Sequence, residues 1–315
     1  MKQRGIALLL VLSSILLMSA MVSATYFYLS NIIYFAGDSR TKQDEKQLLL
    51  GSEDFFLNNI IKEILIDGSF SRVYIRLLTT PSTIRINNVN VHYRLIDRTN
   101  CFNINTLYGY FNNTNKYNAY YAWLVLRNIL QLNDITSSVL NEIMIILSKN
   151  ISGTSNLVRI DGDWGTIEQV LQMGNTIDQQ LNISSENFSL IAPLLCSRND
   201  NKLLININML DVKNSILMQA IFMSEITQSN MNKAILSKPL QGWGTVESFF
   251  RTLANNSKVD RDRINELKRV SILKFSHKEY YFSSNFQIDN SDSQLMSLFH
   301  VRENAITVLQ RRFIL

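Results

Sequence analysis

The histidines are the side chains best suited to acid–base catalysis or metal binding at neutral pH. The chain has three, His92, His277 and His300, and each stands alone in a stretch typical of a β-strand. None forms an HExxH pair, and the sequence contains no GxSxG, GxGxxG or P-loop motif. We therefore interpret the histidines as surface or packing residues and predict that the protein is not an enzyme.

Acidic residues are densest around Gly162, where Asp161, Asp163 and Glu168 follow one another closely. Alternating oxygen ligands beside a glycine turn suit calcium, but the complete loop of an EF-hand is absent from the sequence. Two interpretations are open for these residues, a calcium site and a solvated turn.

The two cysteines, Cys101 and Cys196, are too few for a metal cluster and match no CxxC spacing. In an oxidising compartment outside the cytoplasm they could form a disulfide. Two separate buried thiols, each acting as a small hydrophobic residue, are the alternative.

The formal net charge of the chain is +5. Its lysines and arginines are scattered instead of being gathered into a stripe, and we therefore predict no binding to nucleic acid. One basic group is notable, because Lys2 and Arg4 lie directly ahead of a long apolar run. Positive charge at that place keeps the N-terminus on the cytoplasmic side of a membrane.

The apolar run itself is long enough to span a bilayer. No side chain between Gly5 and Gly37 is charged, and about 20 apolar residues suffice for a transmembrane helix. A cleavable secretory signal, cut near Ala20 or Ala24, is the alternative. The apolar character continues past both of these positions through Ile33, which favours a membrane-spanning helix.

The N-terminus resembles the processing site of the type II secretion pseudopilins, with basic Lys2–Arg4, then Gly5, then the apolar run Ile6–Leu12. The resemblance implies that a prepilin peptidase cuts after Gly5 and that Ile6 becomes the methylated N-terminal residue. Most members of the wider family have glutamate at the fifth mature position, which is Leu10 here. The proposed partner of that glutamate is the terminal amine of the preceding subunit, so its absence suits a first subunit at the fibre tip. The K class of minor pseudopilins typically lacks this glutamate.

Beyond the apolar run, the periodicity of the sequence changes several times. Leucine, isoleucine and phenylalanine recur at three- and four-residue steps from Leu48 to Leu65, which predicts an amphipathic continuation of the helix ending near Gly68. Short β-rich segments between residues 72 and 104 predict a small antiparallel sheet. Segments with a helical period follow at 121–132, 139–147, 166–173 and 187–195. Further strands are predicted at 202–210, 272–275, 280–287, 295–302 and 305–312, the last closing the sheet.

Two segments, Leu95–Leu107 and Lys202–Leu210, are similar to asparagine-containing strand motifs of the pseudopilins, although Cys101 stands where the family commonly has arginine. The K class has a helical insertion in its pilin sheet. The resemblance therefore implies an α+β fold, with a pilin-like long N-terminal helix packed on an antiparallel sheet and an inserted all-helical domain. The predicted divisions are a leader at 1–5, a transmembrane and assembly helix at 6–36, the first part of the pilin-like domain at 37–106, the inserted α-helical domain at 107–198 and the second part of the pilin-like domain at 199–315.

The same resemblance implies a single-pass protein of the bacterial inner membrane whose body lies in the periplasm and caps the pseudopilus tip. Its expected partners are the minor pseudopilins of the I and J classes, the major pseudopilin, the prepilin peptidase and the inner-membrane assembly platform. K-class proteins are associated with calcium in their helical domain. The resemblance therefore adds to the expectation that Asp161, Asp163 and Glu168 bind calcium. Because Cys101 and Cys196 lie just before the asparagine-containing strands of the two motifs, their sulfurs would meet if those strands are neighbours.

Two rival functions are weighed against this one. A membrane-anchored periplasmic enzyme or binding protein with an ordinary signal anchor would need an acidic or histidine-bearing pocket, which the sequence does not offer. An ordinary fibre-forming pilin is opposed by Leu10 and by the size of the body.

Overall fold

A computed structural model gives the fold, and for residues 2–10 it describes the backbone alone. The described residues are 2–61, 80–107, 116–135, 140–141, 144, 191–196, 198, 200–257, 259–303 and 305–314. Gly68, the strand predicted near 72–78 and the helix predicted at 166–173 lie outside these ranges.

One long helix dominates the N-terminal part of the chain. Helix α1 (Lys2–Phe55) runs without a break into a π-helical turn, Phe56–Ile61. Its sequence has no proline, and Cβ atoms added at Gly37 or Gly51 would meet open space. The predicted continuation of the apolar helix into an amphipathic one is confirmed.

The strands are, in chain order, β1 (Ser82–Ile86), β2 (Val89–Asp97), β3 (Phe102–Asn103), β4 (Leu195–Cys196), β5 (Leu203–Asn206), β6 (Leu273–Ser276), β7 (Glu279–Ile288), β8 (Gln294–Arg302) and β9 (Ala305–Ile314). Five of them form one antiparallel sheet in the order β1-β2-β7-β8-β9. The β1–β2 hairpin turns at Asn87 and Asn88, whose φ angles of 49° and 66° suit a tight two-residue turn. The predicted antiparallel sheet, with the last strand at its edge, is confirmed for these five strands, whereas β3, β5 and β6, also predicted as strands, pair in parallel outside it.

One face of this sheet packs on the C-terminal half of α1. Side chains alternate along the strands, so that Val91, Tyr93 and Leu95 of β2 point to the same face and are buried there. They share an apolar cluster with Leu49 and Phe56 of the helical segment. The sheet therefore holds the long helix at its base.

A second, larger apolar cluster is mainly helical. Its helices are α2 (Lys116–Leu132), α3 (Ser215–Ile221), α4 (Gln228–Leu236), α5 (Val246–Ser257) and α6 (Arg261–Lys268). Val125 and Ile129 of α2 share this cluster with Leu217, Phe249 and Leu267 of the later helices. The helices that follow residue 198 thus pack on the helix that precedes it, and the division of the chain at residue 198 stays a prediction.

Two short parallel pairs, β3–β4 and β5–β6, lie beside the main sheet. They correct the end of the helix predicted at 187–195, because Ala192–Leu194 form a 3-10 turn and Leu195 begins β4. Residues 187–190 lie outside the described ranges. Phe102 and Asn103 pair with Leu195 and Cys196, and this pairing of distant segments overrides the local helical pattern.

Candidate functional site: an apolar helix and its mounting on the sheet

The first half of α1 presents apolar side chains on every side. From Val11 to Phe35 its large hydrophobic side chains are 45 to 75 % exposed. Among the described helices, α1 is the one whose length and composition suffice to cross a membrane. This half is therefore the candidate site, a surface suited to lipid and to other helices.

The predicted processing site lies in the first turns of this helix. The backbone at Gly5 and Ile6 is helical, as is that at Leu10. Cleavage after Gly5 and methylation of Ile6 stay predictions.

The long helical segment packs on the sheet through Phe56, whose side chain is fully buried. Its ring lies 5.1 Å from the ring of Tyr93 and 5.6 Å from that of Phe286, measured between centroids. The rings of Phe282 and Phe299 lie 6.3 and 6.1 Å away. Such tilted and edge-on contacts add about 0.5–1.5 kcal/mol per pair to the burial of apolar surface.

Hydrogen bonds to Glu45 complement this apolar anchor. The hydroxyls of Ser291 and Ser293, in the turn between β7 and β8, donate to the Glu45 carboxylate at 2.9 and 2.6 Å. These bonds connect α1 to the turn about 250 residues further along the chain, and bonds to a charged group are stronger than neutral ones, at about 1.5–3 kcal/mol.

An ion pair with one buried partner lies about two turns further along the helix, at Glu53. Arg311 of β9 donates from Nε to Oε2 of Glu53 at 2.6 Å. Glu53 is 1 % exposed, whereas the Arg311 side chain is 44 % exposed. Because a buried carboxylate requires a partner, this pair favours one position of α1 along the sheet.

The predicted disulfide partners lie where the helical cluster meets the sheet. The structure joins Cys101 and Cys196 in a disulfide, with their Cα atoms 5.7 Å apart. The bond closes a loop between residues separated by 95 positions, and β3 and β4 pair beside it. It therefore ties together the two ends of the segment predicted as a helical insertion.

Arg198 fills the space next to this disulfide and is fully buried. Its guanidinium donates to three backbone carbonyls, those of Arg98, Thr99 and Lys202. Its Nε lies 3.6 Å from the Asp200 carboxylate, and its guanidinium carbon lies 4.9 Å from the centre of the Tyr281 ring. The sequence does not single out this residue, since Arg98, Thr99 and Tyr281 are distant from it along the chain.

The asparagines of the two strand motifs bond across the same junction. Asn100 donates from Nδ2 to the carbonyl of Asn206 at 3.1 Å, and its Oδ1 accepts from the Asn206 N–H at 2.8 Å. Asn206 in turn donates to the carbonyl of Glu279 at the start of β7. The structure thus assigns the motif asparagines a joining role between the short strands and the sheet.

Glu279, at the start of β7, has a strongly lowered pKa. Burial alone would raise the pKa of its carboxyl, but hydrogen bonds from His300 and Lys274 outweigh burial and lower the pKa to about 2. His300 Nε2 lies 3.0 Å from the carboxylate, and the imidazole stacks on Tyr281. Through these two contacts Glu279 of β7 links Lys274 of β6 with His300 of β8.

The other two histidines and the predicted calcium ligands are the remaining candidates. His92 contacts Thr83 on the neighbouring strand, and burial lowers the pKa of His277. In the part of the chain that the structure describes, no group of three histidine, cysteine or acidic residues could hold a metal ion. Asp161, Asp163 and Glu168 lie outside the described residues.

Comparison with known proteins identifies the fold and the relatives. No protein-family model matches the chain. It is 24 % identical over 328 residues to type II secretion system protein K of Pectobacterium carotovorum subsp. carotovorum, covering 99 % of this chain and 97 % of that protein. The putative type II secretion system protein K of Escherichia coli (strain K12) is 21 % identical over 323 residues, covering 93 % of this chain and 91 % of that protein.

A solved structure shares the architecture. A chain of the crystal structure of the GspK–GspI–GspJ complex from the enterotoxigenic Escherichia coli type 2 secretion system superposes with a TM-score of 0.51 at 18 % identity, covering 88 % of this chain and 99 % of that chain. The long apolar helix packed on an antiparallel sheet, with helical regions beside it, defines a pilin-like fold, and the length and composition of the helix fit a membrane anchor. Along nearly its whole length the chain is similar to the type II secretion system K proteins, which confirms the resemblance to that class.

Proposed function

We propose that the chain is a minor pseudopilin that caps the tip of the periplasmic pseudopilus and initiates its assembly for the export of folded proteins across the outer membrane. The observation that carries the proposal is the uncharged, exposed first half of α1, which has Leu10 at the fifth position after Gly5. The names of the full-length relatives support the assignment to type II secretion.

The proposed mechanism is assembly. The membrane helix holds the precursor in the inner membrane, cleavage after Gly5 frees Ile6, and the helix then packs with those of other pseudopilins. A body as large as residues 37–315 would obstruct a subunit placed above it. The tip is therefore the position that suits this chain, and its role is structural and not catalytic.

The proposed location is the inner membrane with the body in the periplasm. Lys2 and Arg4 ahead of the apolar helix support a cytoplasmic N-terminus, and a structure that contains a disulfide between Cys101 and Cys196 supports an oxidising compartment for the body. The proposed partners are the I- and J-class minor pseudopilins, in line with the composition of the solved complex that shares the fold. The major pseudopilin, the prepilin peptidase and the assembly platform are further proposed partners.

Calcium binding by Asp161, Asp163 and Glu168 is part of the proposal. A Glu168→Gln and Asp163→Asn double variant should lose any calcium-dependent rise in melting temperature that the parent protein has. A parent protein whose melting temperature does not respond to calcium would exclude the site.

Substitution of Leu10 tests the tip position. A carboxylate in the bilayer without a partner costs about 3 kcal/mol, which corresponds to a roughly 100-fold weaker insertion. In cells that lack the native gene, Leu10→Glu should therefore restore much less export than the parent chain, and Leu10→Met should restore as much. Full export by the Leu10→Glu variant would show that the chain has a preceding subunit, and would contradict the tip assignment.

A further inference from the structure

A groove in the helical part of the body has no role in the proposed assembly. It lies between α2 and α6 and has a volume of about 490 Å³, within the range of about 300–1,000 Å³ that is usual for small-ligand sites. Tyrosines of α2 line one side, and charged residues in and just after α6 line the other: Tyr117, Tyr120 and Tyr121, and Arg263, Glu266 and Arg269. The groove is therefore large enough to hold a small ligand.

The α2 side of the groove presents flat aromatic rings. Tyr117 and Tyr120 lie three residues apart, so they are neighbours on the surface of the helix, and they are 74 and 53 % exposed. The Tyr120 ring stacks on that of Trp123 with centroids 5.8 Å apart, and the guanidinium of Arg127 lies 5.7 Å from the centre of the Trp123 ring. The stacking fixes the orientation of Tyr120 before any ligand arrives, and such preorganisation favours binding.

Little aliphatic surface is accessible in the groove. Leu267 and Val270 are 2 and 6 % exposed, and Leu124 and Met223 are half-buried. Tyr121 is also buried, and its hydroxyl donates to the carbonyl of Ile221 at 2.8 Å, which holds α2 against α3. The accessible lining is therefore mainly aromatic and charged, and it suits a ligand with hydroxyl groups better than an aliphatic peptide side chain.

The α6 side of the groove carries the charge. Arg263 donates to the Glu225 carboxylate at 2.9 and 3.1 Å and to that of Glu266 at 2.6 Å, so two carboxylates already balance it. Arg269 is exposed at the end of α6, and within the described ranges no carboxylate pairs with it. Glu266 is 61 % exposed and can also accept from a ligand hydroxyl. Arg269 is therefore the cation that this groove offers to a ligand.

We propose that the groove binds a saccharide that carries a carboxylate, with its rings packed on Tyr117 and Tyr120 and its carboxylate paired with Arg269. The C–H groups on the face of a sugar ring are slightly positive and pack against the negative face of an aromatic ring. Sugar hydroxyls both donate and accept, which suits Glu266 and Arg269, and arginine can bind a carboxylate through two parallel hydrogen bonds. The inference rests on the proposed function in one respect, the location of the body in the periplasm, where the cell-wall glycan contains acidic amino sugars.

Isothermal titration calorimetry of the purified, detergent-solubilised chain tests the proposal. The acidic probe is the disaccharide of N-acetylglucosamine and N-acetylmuramic acid. The neutral probe is the disaccharide of two N-acetylglucosamine units, which lacks the carboxylate. The parent chain should bind the acidic disaccharide roughly tenfold or more tightly than the neutral one, because a hydrogen bond to a charged group contributes about that much.

Variants separate the two parts of the groove. Arg269→Gln should bind both disaccharides about equally, whereas Arg302→Gln, at an exposed arginine of β8, should keep the preference of the parent chain. Tyr117→Ala should weaken the binding of both disaccharides, and Tyr117→Phe, which keeps the ring, should bind as the parent chain does. Because Tyr117 and Arg269 are exposed, the variants should melt within a few degrees of the parent chain.

Several results would overturn the proposal. They are the absence of saturable binding of either disaccharide, equal affinity of the parent chain for the two, and an unchanged preference in Arg269→Gln. The last result, together with a lower melting temperature, would show that Arg269 serves only to stabilise the end of α6. Binding of a short acidic peptide that contains tyrosine, without binding of either sugar, would assign the groove to a protein partner instead.

The inference and the proposed function fail separately. The mass of the N-terminal peptide shows whether the chain has been cut after Gly5. Cleavage in cells together with no sugar binding would reject the groove alone, whereas sugar binding by a chain whose N-terminus stays uncut would reject the pseudopilin assignment alone.

Discussion

Replacing Phe56 by alanine should weaken the packing of the long helix on the sheet. The loss of stability should be larger than for the substitution of an exposed residue in the same helical segment. The side chain is fully buried, and its ring centroid lies within 5.1 to 6.3 Å of four others, in Tyr93, Phe282, Phe286 and Phe299. Truncating a buried phenylalanine costs about 3–5 kcal/mol, through lost transfer free energy and the cavity that remains. Because several aromatic contacts are lost together, we expect Phe56→Ala to lie near the upper end, at about 4–5 kcal/mol.

Phe55→Ala is the matched control, since Phe55 is the neighbouring residue of the same type and is 45 % exposed. The assay is thermal unfolding of the detergent-solubilised chain, followed by near-ultraviolet circular dichroism. Phe56→Ala should lower the melting temperature by about 10 °C or more, and Phe55→Ala by only a few degrees. Equal shifts for the two variants would refute the assignment of Phe56 as the anchor of the helix.

Two other predictions concern the junction beside the sheet. The pKa of Glu279 is lowered to about 2, below its unfolded value of about 4.3, so its contribution to stability is complete above the unfolded pKa and is lost as pH falls towards 2. In Glu279→Gln the melting temperature should fall less steeply as pH is lowered from the unfolded pKa towards 2. An equally steep fall in this variant would show that the Glu279 carboxylate is not the cause. Reduction of the Cys101–Cys196 bond should lower the free energy of unfolding by about 4–5 kcal/mol in the chain-entropy model. Two free thiols in non-reducing peptide mass spectrometry would contradict this prediction, and a Cys101→Ser and Cys196→Ser double variant that is insensitive to reductant is the control.

Local patterns in the sequence were sufficient for the long helix and for the main sheet. The uncharged run to Gly37 and the three- and four-residue spacing from Leu48 predict one continuous helix, which α1 is. The adjacent pair Asn87 and Asn88 predicts the turn of the β1–β2 hairpin, because asparagine tolerates the positive φ angles that the turn needs. In both cases the neighbouring residues alone decide the structure.

Elements decided by distant contacts could not be predicted in the same way. Leu195 lies at the end of a helical pattern, yet it pairs with Phe102 in a parallel ladder. Arg198 has no motif around it, and its burial depends on carbonyls about 100 residues earlier and on Tyr281. Helix α6 was missed because Arg261–Lys268 is strongly polar, and its start is set by Asp260, whose carboxylate accepts from the Asp262 N–H.

For the candidate site, the composition of the apolar helix was sufficient to predict its exposed apolar surface. It was not sufficient to predict the contacts that attach the helix to the sheet. The bonds from Ser291 and Ser293 to Glu45 and from Arg311 to Glu53 join residues more than 240 positions apart. Serine and arginine are common on surfaces, and no spacing in the sequence relates them to the helix. Only the packing of α1 on the sheet reveals these partners.

The central claim is that Ile6 becomes the first residue of an assembled pseudopilin. N-terminal mass spectrometry of the membrane-extracted protein, from cells with and without prepilin peptidase, tests this most directly. The account predicts a peptide that begins with methylated Ile6 in the presence of the peptidase and an intact leader in its absence. An intact N-terminus in both strains, or a cut near Ala20 or Ala24, would contradict it and favour an ordinary membrane-anchored or secreted protein.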